Sequence, residues 1–184
     1  MSKKLFYLTG FMGSGKSTIG PILANTLGWD FYDLDKIIED KEGMKVSEIF
    51  AKKGEEYFRK VESNALLEIS AADSAIISLG GGTITIAKNI EVMKKSGWLL
   101  YLKISPQVAY ERLRFKRDRP VLTQDGTVNL NKSEFINKLS RLMDDRKQFY
   151  EKADIIFDTN ESSIGGTVDK LVKIIKKEIH YSNK

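Results

Sequence analysis

The 184-residue chain has no cysteine, which excludes disulfides and thiolate metal sites and fits a reducing compartment such as the cytoplasm. No apolar run approaches membrane-spanning length, so no membrane association is expected. Met1-Ser2-Lys3-Lys4 leads straight into a strand-like segment, without the apolar core of a signal peptide. Internal repeats, low-complexity tracts and linkers are also missing, so one domain over residues 1–184 is expected, large enough for a real core. The net charge of +5 permits either a nucleic-acid surface or a cleft for small anions. The basic cluster at residues 170–177 alternates at helical spacing and lacks interleaved aromatics, so it reads as a solvated helix face and no nucleic-acid partner is expected. The single histidine, His180, reads as a surface residue on the last helix.

What the chain does have is Thr9-Gly10-Phe11-Met12-Gly13-Ser14-Gly15-Lys16-Ser17-Thr18, between an apolar strand pattern and a helical one. Gly10, Gly15, Lys16 and Ser17 fill the G-x-x-x-x-G-K-[ST] spacing of a phosphate-binding loop. Glycines let the backbone curl so that successive N–H groups form an anion nest, and the following helix adds its positive end. Gly13, Ser14, Gly15, Lys16, Ser17 and Thr18 are therefore candidate nucleotide contacts. Lys16 suits the β- and γ-phosphates, and the Ser17 hydroxyl suits Mg²⁺.

Strands are expected at residues 5–9, 29–33, 74–78, 98–103 and 153–158. Helices are expected at 15–27, 37–41, 55–71, 87–95, 105–115 and 132–150, with a last one from 167 to about 179. Ser47 and Thr167 read as helix caps, and Gly54 as a break before residue 55. Pro21 is out of place past the first turn of its helix. The apolar face of the third helical pattern carries Phe58, Val61, Ala65, Leu66 and Ile69, leaving Arg59 and Glu62 off the stripe. Residues 116–131 are polar and aperiodic, and a loop of that length suits a lid, placed at about 114–131. Strands alternating with helices argue an α/β domain, a parallel sheet with helices on both faces.

Such sheets bind ligands beyond the carboxyl ends of their strands, where the phosphate loop, Asp33, Asp35 and Gly80-Gly81-Gly82 all fall. One of Asp33 and Asp35 can help hold Mg²⁺ while the other holds an acceptor hydroxyl, and the residues alone do not choose between them. The glycine triplet offers close backbone approach and bare N–H donors. Among Arg112, Arg114, Arg117 and Arg119, one could close over transferring phosphates.

In this order, Gly-Phe-Met-Gly-Ser-Gly-Lys-Ser at residues 10–17, Asp33-Leu34-Asp35, Phe58-Arg59-x-x-Glu62, Gly80-Gly81-Gly82, Arg119-Pro120-Val121-Leu122 and Arg146-x-x-x-Tyr150 resemble the shikimate kinase family, over residues 5–159. The resemblance implies a nucleoside-monophosphate-kinase-like fold with sheet order 2-3-1-4-5, a lid, and a substrate-binding helical region at about residues 35–69. It implies a monomer using ATP and Mg²⁺ to phosphorylate the 3-hydroxyl of shikimate. Asp35 would hold and deprotonate that hydroxyl, and Arg59 and Arg146 would grip the carboxylate. Backbone groups of Gly80, Gly81 and Gly82 would meet the ring hydroxyls. Asp33, through water, and Ser17 would hold Mg²⁺, Arg119 would be the lid arginine, and Arg112 would pack on adenine. The chain departs from the family at Val121, where a leucine is common, and after Asp158, where the loop lacks a proline that often touches adenine. The rival readings are a gluconate or nucleotide kinase, and a nucleotide-binding module without catalysis.

Overall fold

A computed structural model of the chain describes residues 4–114, 131–160 and 163–182. The elements run β1 (Lys4–Thr9), α1 (Lys16–Leu27), β2 (Asp30–Asp33), α2 (Leu34–Glu42), α3 (Val46–Ile69) and β3 (Ser74–Ser78). A 3-10 turn (Thr83–Thr85), α4 (Ala87–Ser96), β4 (Gly97–Lys103), α5 (Pro106–Leu113), α6 (Lys132–Tyr150), β5 (Ile155–Asp158) and α7 (Ile164–Ser182) follow. The strands form one sheet in the order β2-β3-β1-β4-β5, and every pairing is parallel. Parallel strands need a crossover, and the helices between them supply it.

β1 shows why the domain has three layers. Leu5 to Leu8 are apolar in unbroken sequence, and alternate side chains go to opposite faces. Leu5 and Tyr7 join Ala75, Ile77 and Leu99 under α2, α3 and α4. Phe6 and Leu8 join Ile76, Leu100 and Leu102 under α1 and α7. A third cluster, Phe11 with Ile104, Ala109, Leu113 and Leu139, packs the chain leaving β1 against α5 and α6. The phosphate loop therefore stands on a core of its own.

Several boundaries differ from the sequence expectation, each for a local reason. α2 starts at Leu34, because the Asp33 side chain caps it by accepting from the Lys36 N–H at 3.2 Å; Asp35 thus sits in a helix rather than at a strand end. α3 starts at Val46, one residue before the expected cap Ser47, with the Glu48 carboxylate accepting from the Lys45 N–H at 2.9 Å. Gly54 does break the helix, with φ 83° and ψ 170°, but helical turns continue on both sides. The cap of α7 is Ser163, whose Oγ accepts from the Gly166 N–H at 3.1 Å. Thr167 lies inside the first turns, buried. Pro21 is accommodated on the exposed side of an uninterrupted α1, where it costs one ladder bond. Lys170, Lys173, Lys176 and Lys177 are all exposed on α7, as a solvated face requires, and so is His180. Among the described residues, no helix is long and apolar enough to cross a membrane. The expected lid at 114–131 lies almost wholly outside the described residues.

Candidate active site

A cavity of about 660 Å³ opens along the carboxyl ends of the strands. At its floor the chain leaving β1 turns through glycines of positive φ, Gly10 at 148°, Gly13 at 82° and Gly15 at 103°. Left-handed backbone of this kind strains any residue with a Cβ. Gly15 is the N-cap of α1 and offers no capping side chain. A helix start without a capping side chain is a ready site for an anion. Lys16 Nζ donates to Gly10 O at 2.6 Å, folded back across its own loop. Gly13, Gly15, Lys16, Ser17 and Thr18 line the cavity, and Ser17 and Thr18 are exposed there. Ser14 does not line it. Its side chain is fully buried, and its N–H donates to Phe11 O at 3.1 Å.

Asp33 and Asp35 both reach the cavity from the junction of β2 and α2. Burial pushes the Asp35 carboxyl up to about 6, with Asp33 and Glu62 adding to the rise and Lys16 opposing it. Such a proton affinity suits a general base working near neutrality.

Beyond Asp35 lie the two arginines. Arg59, after the break in α3, donates from Nη1 to Glu62 at 2.9 Å and from Nη2 to Glu55 at 3.0 Å. Its Cζ lies 5.4 Å from the centre of the Phe58 ring, and Phe50 packs on Phe58 at 4.6 Å. Glu62 is fully buried and accepts from the Thr83 hydroxyl at 2.6 Å. Thr83 O in turn accepts from Asn89 Nδ2 at 3.1 Å. Arg146 arrives from α6 and donates to Gly81 O at 3.3 Å. Gly80, Gly81 and Gly82 line the cavity between these groups.

At the opposite end, Arg112 donates from Nη1 to Gly13 O at 3.1 Å and from Nη2 to Thr159 O at 2.8 Å. A guanidinium held by its edge still offers a planar face. Ile164 and Thr167 border the same end. Arg119 lies outside the described residues. The sequence reading missed the roles of Thr83, Asn89 and Ile164, and it left Glu62 without one. Only Glu62 had a signal, its i,i+3 spacing from Arg59.

The model of the shikimate kinase family matches residues 12–176. A shikimate kinase of Chlorobaculum parvum is 40% identical over 175 residues, which is 95% of this chain and 94% of the relative. Among solved structures, the shikimate kinase of Bacteroides thetaiotaomicron is 32% identical with a TM-score of 0.84, covering 94% of this chain and 98% of that one. The shikimate kinase of Acinetobacter baumannii in complex with shikimate is 32% identical with a TM-score of 0.82, covering 95% of this chain and 94% of that one. With the phosphate loop, the acid and the paired arginines all set around one cavity, and likeness of this extent over nearly the full length of both chains, the protein belongs to the shikimate kinase family.

Proposed function

We propose that this chain transfers the γ-phosphoryl group of ATP to the 3-hydroxyl of shikimate, giving shikimate 3-phosphate and ADP, with Asp35 receiving the hydroxyl proton. The observation that carries the assignment is one carboxylate of raised proton affinity, Asp35, on the same cavity as the phosphate-loop lysine and two arginines. Lys16 exchanges its loop carbonyl for phosphate oxygens. Arg59 and Arg146 take the shikimate carboxylate, for which their fork-shaped donors are suited. As the 3-hydroxyl oxygen bonds the γ-phosphorus, the bond from that phosphorus to the β–γ bridging oxygen breaks, and the proton passes to Asp35. Arg119 is assigned the spreading phosphoryl charge on its Arg119-Pro120-Val121-Leu122 segment alone.

The exposed Ser17 hydroxyl and the Asp33 carboxylate are hard oxygen donors that fit Mg²⁺, which keeps several waters and takes few protein ligands. One Asp33 oxygen caps α2, and a carboxylate has further acceptor capacity for a metal-bound water. Bound there, Mg²⁺ would offset charge on the phosphates. The chain is read as a monomer, and the lack of cysteine suits the cytoplasm.

The deciding experiment measures ADP release from Mg·ATP with shikimate, gluconate, AMP or no acceptor. Turnover dependent on shikimate is expected. Turnover with gluconate or AMP instead would withdraw the roles of Asp35, Arg59 and Arg146. ATP binding without turnover on any acceptor would leave a nucleotide-binding module.

Two further outcomes follow from the geometry. Thr83→Val removes the donor to buried Glu62 while keeping side-chain shape, so the Arg59 anchor loosens. Shikimate KM should rise about tenfold, the worth of one hydrogen bond to a charged group, with kcat near wild type and Thr83→Ser restoring the original value. Arg112→Ala removes both a stacking face and the tie between Gly13 O and Thr159 O. It should raise the KM for ATP about tenfold and leave that for shikimate unchanged. The reverse pattern in steady-state kinetics would move Arg112 away from the base.

A further inference from the structure

The glycines at 80, 81 and 82 are not demanded by their backbone angles. None has a positive φ, and Gly82, at φ −103° and ψ −12°, is in a region open to any residue. What forbids a side chain is the space above each one, and that space holds a different group each time. A Cβ at Gly80 would lie 2.7 Å from Asp35 Oδ1, with Glu62 Oε1 next at 3.3 Å. One at Gly81 would lie 2.9 Å from Arg146 Nη1, and one at Gly82 would lie 2.7 Å from Arg59 Cζ. All three distances are well inside van der Waals contact, and each nearest neighbour is the movable end of a side chain. A methyl group here would therefore push a functional group aside before it disturbed the backbone.

We infer that Gly80, Gly81 and Gly82 are three separate positioning residues, seating Asp35, Arg146 and Arg59 respectively. The triplet is expected from sequence to approach the ligand with its N–H groups. On this inference its glycines are needed because the chain's own acid and arginines lie against it. An alanine keeps the N–H but would also crowd an approaching ligand, so the two ideas are told apart by whether its effect disappears when the displaced side chain is removed. The inference rests on the proposed shikimate kinase roles of those three side chains.

The test compares kcat and KM of wild type, Gly80→Ala, Gly81→Ala and Gly82→Ala, using shikimate and its carboxamide analogue. Gly82→Ala and Gly81→Ala should raise the KM for shikimate by about tenfold or more, leave kcat within about threefold, and scarcely change the KM for the uncharged analogue. Gly80→Ala should instead lower kcat by about tenfold or more, with little change in KM. Gly82→Ala added to Arg59→Ala should cost nothing more, because the displaced group is already gone. If Gly82→Ala lowers Tm by more than about 5 °C, the double variant with Arg59→Ala should have the Tm of Arg59→Ala alone. Identical kinetic profiles for the three variants, wild-type values throughout, additivity with Arg59→Ala or a double variant less stable than Arg59→Ala alone would each overturn the inference. Absence of shikimate turnover in wild type would instead sink the proposed function. Crystal structures would then still decide the seating, since only Arg59 should move in Gly82→Ala.

Discussion

Asp35→Asn is expected to lower kcat by about 10³-fold while making the folded protein more stable at neutral pH. Both effects come from one carboxyl whose proton affinity burial raises from 3.8 to about 6. In the proposed mechanism, the ionised form receives the acceptor proton, and an amide cannot. Wild-type kcat should accordingly fall as pH drops through about 6. In folding, the native state binds the Asp35 proton more tightly than the unfolded chain does. Stability from this group is therefore full below the unfolded value and lost as pH rises through the folded one. At neutral pH the ionised carboxylate costs the native state up to about 3 kcal/mol, and the neutral amide of the variant would not incur that cost. Urea denaturation at about pH 7 should show the gain, and at about pH 3.5 the two proteins should match. A variant with wild-type kcat would remove Asp35 from proton transfer. Equal stability at neutral pH would mean that burial does not act on this carboxyl as described.

Arg59→Ala is expected to raise the KM for shikimate by about 10²-fold with kcat within a few-fold, because a charged, fork-shaped pair is lost from the bound state. It has a second effect. Glu62 is fully buried, and its partners include the Arg59 guanidinium at 2.9 Å. Removing one member of such a pair leaves a desolvated charge, a loss of about 3 kcal/mol in stability. Adding Glu62→Gln should return most of that stability and none of the affinity. Steady-state kinetics and urea denaturation on the single and double variants separate the two effects. An unchanged KM in Arg59→Ala would take the residue out of the carboxylate site.

Those two side chains also mark where sequence stops being informative. The phosphate loop and the alternation of strands with helices are legible because each is a local pattern: glycine spacing, apolar runs and 3.6-residue periodicity. The strand order comes with the family resemblance, and the sheet has it. Glu62 shows the limit. Off the apolar stripe of α3, a glutamate reads as solvent-facing, yet it is buried because Thr83 reaches it from 21 residues away. No periodicity carries that contact. Thr167 reads as a cap for the same kind of reason: its residue type suits the role, but Ser163 supplies the cap four residues earlier. Asp33 both caps α2 and borders the cavity.

The strand order has a consequence for synthesis. β1 leaves the ribosome before any other strand, yet both of its neighbours in the sheet come much later, at Ser74–Ser78 and Gly97–Lys103. Phe6, for example, lies between Ile76 and Trp98. At about 5–20 residues per second, β1 waits on the order of ten seconds for its second partner. During that interval Leu5, Phe6, Tyr7 and Leu8 lack the strands that flank them in the sheet. The phosphate loop is thus made well before the two strands between which β1, the strand leading into it, is paired.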